Sequence, residues 1–311
     1  MFDIISEILA ATIRQGTPLL MIALGEIYVE RSGVINIGIE GNAITGAFIG
    51  WFVSLKLSSW GMLAPVAGLI ASASVGMIVA LIFSFFVLRL KTDQVVTGTG
   101  INLLAFGLVH LLYTQLVGET GEALKSSIFN TIPVPILAQI PILGQIFFQH
   151  NILVYITFLI LPILYIHLFR TRYGLSIQSC GEHPKAADTL GIKVSELQTK
   201  CLLFGGAMAG MAGAYLSLAH VPYFNPDMTA GRGFIGLAIV IFGGWHPIKA
   251  GGAALVFGFG SALSDRLQAR MLGIPHQFLQ LLPYVLTLLV LAGLLGRTRA
   301  PSALAVPFRR E

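Results

Sequence analysis

Glu30-Arg31-Ser32-Gly33-Val34-Ile35-Asn36-Ile37-Gly38-Ile39-Glu40-Gly41-Asn42 lies between two long apolar runs, yet it carries two carboxylates, two amides, an arginine and three glycines. The hydropathy of its neighbours places it at lipid depth. A charged side chain at the centre of a membrane-spanning helix costs roughly 2.5–3.5 kcal/mol on insertion scales. Such groups persist when they face a protein interior or a watery cavity, and glycines mark where a helix can be thin or broken. The stretch therefore reads as the polar centre of a solute pathway. For Glu30 and Arg31 the competing reading is a membrane edge.

Composition agrees. The chain has 311 residues, of which 55% are hydrophobic and only 11% charged, where a soluble domain carries about 25% charged residues. Its mean hydropathy is +0.83. Fold class follows: an all-α polytopic membrane protein, a single transmembrane domain over residues 1–311, with roughly 8–10 spanning helices, some broken, in pseudo-symmetric halves. The 35 glycines suit helices that pack closely in lipid. Cys180 and Cys201 lack metal-ligand spacing and read as inert thiols. Asp3 and Glu7 stand where a signal peptide would be basic.

Residues 1–16 read as an amphipathic helix, with a second helix starting at Thr17-Pro18 and running to residue 29; Glu26 and Glu30 share one face of it. Apolar runs follow at 33–57 and 61–90. The latter, about 45 Å if helical, is either one tilted helix or two short ones. Residues 95–118 start polar and glycine-rich around Asn102, which faces a pore or bonds a neighbouring helix. A proline-containing loop over 119–150 precedes a span at 151–169. Further crossings or half-crossings are expected at about 201–219, 232–245, 248–265 and 278–295. Basic residues concentrate at Arg89 and Lys91, in the 170–200 loop, and in the tail 297–311 with Arg297, Arg299, Arg309 and Arg310. By the positive-inside rule these regions are cytoplasmic and the 119–150 loop is outside.

Within the 170–200 loop, Gly181-Glu182-His183-Pro184-Lys185-Ala186-Ala187-Asp188-Thr189-Leu190-Gly191 predicts a compact helix, with Pro184 at its first position and Gly191 at its C-terminal cap. A second helix is expected from a Ser195 cap. A short capped helix projecting between spans suits docking on a soluble partner; an ordinary interfacial loop helix is the alternative. Gly206, Gly210 and Ala214 make a close-packing face. Glycine and proline interrupt residues 221–233 and 243–247, the second-half counterpart of the opening stretch and a pointer to a binding site between halves. The sequence holds no Walker-type phosphate loop, no metal-ligand cluster and no nucleophile–base–orienter set, so no catalytic or metal-binding residue is assigned. Nothing in it points to a nucleic acid, and ATP-driven transport would need an ATPase on another chain.

Thr17-Pro18-Leu19-Leu20, Gly25-Glu26 and the stretch from Glu30 to Gly41 closely resemble the permease subunits of bacterial nucleoside ABC importers, a group related to ribose, simple-sugar and branched-chain amino-acid permeases. Gly181-x-x-Pro184-x-Ala186-Ala187-x-x-x-Gly191 resembles that group's coupling helix. Asp93-Gln94-Val95-x-x-Gly98 with Asn102, and Gly233-Phe234-Ile235-Gly236-x-Ala238 with Gly243-Gly244-Trp245-x-Pro247, also look like family elements. The resemblance covers about residues 17–296. It implies a multi-pass permease of the bacterial cytoplasmic membrane that works by alternating access, in contact with membrane lipid. Its partners would be an ATP-binding cassette subunit holding ATP-Mg, a second permease subunit in a heteromeric pair, and an extracytoplasmic substrate-binding protein or lipoprotein. This chain itself would bind no cofactor. Asn36, Glu40 and Asn42 would line the pathway, with Asn102, Phe224 and Asn225 beside them; amides and carboxylates would bond ribose hydroxyls and base edges, and an aromatic ring would stack on a base. Gly181, Pro184, Lys185, Ala186, Ala187 and Gly191 would carry ATPase coupling. Two positions depart from the pattern: His183 stands where Asn is expected, and Asn42 where an apolar residue or Gln is usual. A simple-sugar permease is the alternative within the class. Outside it, an ion-coupled secondary transporter would use Glu26, Glu30 and Glu40 for protons or sodium.

Overall fold

The structure, a computed structural model, describes residues 2–117, 124–268, 278, 281, 283–285 and 299–308. Eleven α-helices follow in order among them: α1 (Phe2–Arg31), α2 (Ile39–Lys56), α3 (Leu63–Ser84), α4 (Gln94–Val117), α5 (Leu143–Phe147), α6 (Ile152–Arg170), α7 (Arg172–Glu182), α8 (Pro184–Thr189), α9 (Val194–Tyr215), α10 (Arg232–Phe242) and α11 (Pro247–Gln268). Single π-helical turns, Phe85–Arg89 and Leu216–His220, extend α3 and α9. Between α4 and α6, strands β1 (Thr131–Pro133) and β2 (Gln149–Asn151) form an antiparallel ribbon with Thr131 opposite Asn151. The fold is all-α and membrane-spanning. Five of the described helices (α1, α3, α4, α6 and α9) are long and apolar enough to cross a bilayer, and α10 is a shorter apolar helix. Most of the span expected at 278–295, and Arg297, Arg309 and Arg310 of the tail, lie outside the described residues.

Two expectations are corrected. Thr17-Pro18 does not start a helix: α1 runs unbroken through Pro18. Proline removes the N–H that would bond the Arg14 carbonyl, and the Thr17 hydroxyl donates to the Ile13 carbonyl at 2.7 Å. The helix survives because α9 and α11 pack along it, as buried spanning helices with internal prolines do. Ser195 is not the cap of α9; the helix starts at Val194 after Lys193, with no side-chain cap. The 61–90 run resolves as one helix, α3 with its π turn, a candidate span of 27 residues.

α1 and α9 are buried on most sides, while α3, α4 and α6 lie at the periphery and expose residues such as Leu103, Leu104, Leu159 and Ile163. Along the seam of α2, α3 and α9 the helices touch backbone to backbone. A Cβ on Gly46 would strike the Gly210 carbonyl, one on Gly76 the Gly206 carbonyl, and one on Gly213 the Ala43 carbonyl. Ser72 closes the seam, its hydroxyl donating to the Gly46 carbonyl at 2.7 Å. Arg31, Phe169 and Trp245 meet at one end of the bundle, with α7 and α8 beside them. Arg89 and Lys91 border the start of α9 there as well, so the structure gathers the basic edges at one end.

Candidate functional site

Residues 32–38 leave the basic end without helical structure and α2 starts only at Ile39. Glycine at 33 has φ of +94°, a left-handed conformation that β-carbon-bearing residues rarely adopt. The segment runs beside the first turns of α4. Ile35 N donates to Gln94 Oε1 at 2.9 Å. Asn102 then holds both sides of the break: its Oδ1 accepts from Gly41 N at 2.7 Å and its Nδ2 donates to the Ile37 carbonyl at 2.9 Å. Asn36 Oδ1 accepts from Gly38 N at 3.1 Å, while its buried Nδ2, on the side of Glu26, closes no hydrogen bond of good geometry among the described residues. Asn42 Nδ2 reaches the Gly76 carbonyl at 3.4 Å.

Glu40, buried in the first turn of α2, reaches across to the second half. Its Oε1 accepts from Gly231 N at 2.9 Å and its Oε2 from Gly233 N at 2.6 Å. These are the N–H groups of the α10 N-cap, Gly231, and of its first turn, Gly233, which lack intrahelical acceptors. A carboxylate at the start of its own helix and of a second one is favoured by both helix dipoles. Gly233 is required at this contact, since a Cβ there would lie 2.6 Å from Glu40 Oε2. A second cross-link sits at the basic end: Trp245 Nε1 donates to Glu30 Oε2 at 2.6 Å, and Arg31 Nε donates to the Trp245 carbonyl at 3.1 Å. Glu26, one turn before Glu30, is fully buried beside Asn36, and neither of its oxygens closes a hydrogen bond of good geometry among the described residues.

Of the residues read from sequence, Asn36, Glu40, Asn42 and Asn102 are thus brought together around the break. Phe224 and Asn225 are not among them. Phe224 packs in a cluster with Phe48, Trp51 and Tyr113, at ring-centroid distances of 5.4, 5.8 and 5.3 Å. Asn225 is exposed and shapes a turn, Oδ1 accepting from Asp227 N at 2.9 Å. Phe48 and Trp51 lie two to three turns up α2 from Glu40, about 12–16 Å along its axis. Sequence reasoning missed a polar cavity of about 270 Å³ beside the start of α10, lined by Gln15, Arg232, Ser264, Asp265, Gln268 and Tyr284 among others. Gln15 Nε2 donates to Asp265 Oδ2 at 2.9 Å, and Arg232 Nη1 donates to the Met228 carbonyl at 2.8 Å. The intramembrane Gln15 and Arg232 were the available signal.

The helix read at 181–191 forms as α8. Pro184 occupies its first turn and His183 precedes it without a side-chain cap. At the other end Gly191 N donates to the Asp188 carbonyl and Ile192 N to the Ala187 carbonyl, the paired bonds of a Schellman cap, with Gly191 at φ +85°. Ala187 faces the core; Lys185, Ala186 and Leu190 face outward, and Leu190 is 83% exposed. Leu190 was not among the coupling residues read from sequence. Cys180, just before α8, is buried, and burial pushes its thiol up to about 11. No cluster of metal-ligating side chains occurs among the described residues.

Comparison with known proteins accords with this architecture. The family described as "Branched-chain amino acid transport system / permease component" matches residues 8–292. The chain is 38% identical to the guanosine ABC transporter permease protein NupQ of Bacillus subtilis, covering 98% of this chain and 97% of that protein. It is 36% identical to the nucleoside ABC transporter permease protein NupC of Lactococcus lactis (95% and 94% covered). A putative glucose ABC transporter permease protein of Haloferax volcanii, TsgC13, is 32% identical over 98% of each chain. No solved structure matches. A broken polar segment clamped between two halves, a capped helix at the basic end and a family match spanning nearly all of the sequence lead to one conclusion: this chain belongs to the permease component family of branched-chain amino-acid-type ABC transport systems.

Proposed function

We propose that the chain is the membrane permease of an ATP-driven nucleoside importer in a bacterial cytoplasmic membrane. The observation that carries the reading is full-length similarity to permeases named for guanosine and nucleosides. The Glu40 clamp between α2 and α10 supports an alternating-access cycle: the starts of two helices meet at one carboxylate, a joint able to open and close. Asn36, Glu40, Asn42 and Asn102 are then the hinge of the pathway. The cavity lined by Gln15, Arg232 and Asp265 is the better candidate for solute contact, because its mixed donors and acceptors suit an uncharged, hydroxyl-rich solute. Phe224 and Asn225 belong to the outer mouth. A simple-sugar substrate is the second reading, favoured by the glucose-named relative.

The partners are a separate ATPase subunit carrying ATP-Mg, docked on α8, a second permease subunit, and an extracytoplasmic binding protein. The test is labelled-nucleoside uptake into vesicles containing this chain, with and without its co-encoded ATPase and second permease. Uptake that requires the ATPase, is competed by other nucleosides and ignores ionophores is expected. Uptake without any ATPase that collapses with the proton gradient would overturn the reading, and ATPase-dependent uptake of sugar alone would overturn the substrate.

A further inference from the structure

The C-terminal segment 299–308 returns to the basic end and lies between two parts of the chain that share no other described hydrogen bond. On one side is the broken segment. Ala305 N donates to the Gly33 carbonyl at 3.0 Å. On the other side is the end of α7, the root from which α8 projects. Ala303 N donates to the Gly181 carbonyl at 2.8 Å, and Ser302 donates to Glu182 Oε2 through its hydroxyl at 2.7 Å and its N–H at 3.2 Å. The segment folds on itself to do this, Leu304 N donating to the Pro301 carbonyl and Val306 N to the Ala303 carbonyl. Leu304 and Phe308 pack on the main core. Phe308 also borders a cleft lined by Asp188, Gly191 and Glu196, immediately past α8.

The two sides are in tight register. A Cβ on Gly181 would strike the Arg31 carbonyl, and one on Gly33 would sit 3.4 Å from the carbonyls of both Cys180 and Ala303. The root of α8 meets residues 31–33 at the Gly181–Arg31 contact and through the tail, and α9, packed beside α8, adds a bond from Gln198 Nε2 to the Ser32 carbonyl at 3.0 Å. Among the described residues, the tail is hydrogen-bonded to both sides.

We propose that Ser302, Ala303 and Ala305 are positioning residues of the transport cycle: they form a strut that ties the root of α8 to the broken segment, so that a push on α8 moves the pathway break. The proposal rests on the reading of α8 as the ATPase docking helix. It assigns the tail a role in coupling and none in docking itself.

The experiment uses the full complex in proteoliposomes and measures three things: ATPase association, ATP hydrolysis and solute uptake. Ala303→Pro removes the N–H to Gly181, and Glu182→Ala removes the acceptor of both Ser302 bonds, the second tie. With each variant, association is expected to stay at the wild-type level while uptake per ATP hydrolysed falls about tenfold, the scale of losing one or two hydrogen bonds. Ala303→Gly keeps the N–H and is expected to transport as wild type. Wild-type coupling in both strut variants would overturn the proposal. So would loss of uptake in step with loss of ATPase association, which would make the tail a docking or folding element. If the wild-type chain itself fails to bind the ATPase, the functional reading fails, a result separable from either variant outcome.

Discussion

Asn102 shows how much one side chain does at the break. Its amide satisfies a buried N–H at Gly41 and a carbonyl at Ile37. In Asn102→Ala both lose their partner, and an orphaned buried group costs about 1–3 kcal/mol. The variant is expected to denature in detergent at a clearly lower temperature than wild type, whereas Thr99→Ala, on an exposed part of α4, should not. Cys180 gives a second test at this scale. Its burial and its thiol held near 11 leave little thiolate at neutral pH. Maleimide labelling of Cys180 should be slow at pH 7 in the native protein and fast after denaturation; rapid native labelling would show that the end of α7 opens. The break residues were legible in the sequence because glycines and amides stood where lipid was expected. The role of Glu40 was not: its acceptors' partners lie 191 and 193 positions away, and local pattern carries no record of which distant N–H groups a carboxylate will cap.

Among elements, α8 was legible almost to the residue, since proline and glycine punctuate it at both ends. Gly191→Ala places a β-carbon at φ +85° and is expected to cost about 1 kcal/mol in the cap. Leu190→Asp should leave stability unchanged and weaken ATPase association, read by co-purification. The failure at Thr17-Pro18 has the opposite lesson. A proline reads as a helix start in isolation, and only the packing of α9 and α11 along α1 overrides it. The ribbon between α4 and α6 adds a pH dependence. His150 is buried against the Ile146 carbonyl, Nε2 to O at 2.7 Å, and burial, with the Arg14 charge adding to it, lowers its proton affinity. The unfolded imidazole takes a proton near pH 6.5 and the folded one only at lower pH. Ribbon stability is therefore full above about pH 6.5 and declines as pH falls below it. Amide exchange in residues 131–151, corrected for its intrinsic pH dependence, should quicken below that pH, and His150→Gln should flatten the response.

At the scale of the molecule, the α2–α3–α9 seam decides whether the bundle forms. Gly210→Leu would drive a side chain into the Ser72 carbonyl on α3, an overpacking at or above the upper end of the usual range of about 1–3 kcal/mol, since backbone and not a flexible side chain would have to move. Little monodisperse protein is expected from that variant. Gly100→Leu and Gly252→Leu, where an added Cβ meets nothing within 4 Å, should purify as wild type. Small residues at spacing four announced this seam in α9, but the matching glycines in α2 and α3 were hidden in runs that read simply as apolar. What the molecule builds from these parts is a close-packed seam next to a clamp of four hydrogen-bonding atoms, and in the proposed cycle the α2–α10 joint is the part that would open.

The Glu40 clamp also has a consequence for how the chain is made. Glu40 leaves the ribosome 191 residues before Gly231 and 193 before Gly233. At about 5–20 residues per second of synthesis, that interval is roughly 10–40 s. Throughout it the inserted first half carries a carboxylate whose lasting partners do not yet exist. A nascent chain halted before α10 should therefore hold α2 loosely and be an early target for membrane proteases, and completion of α10 is the event that ends that exposure.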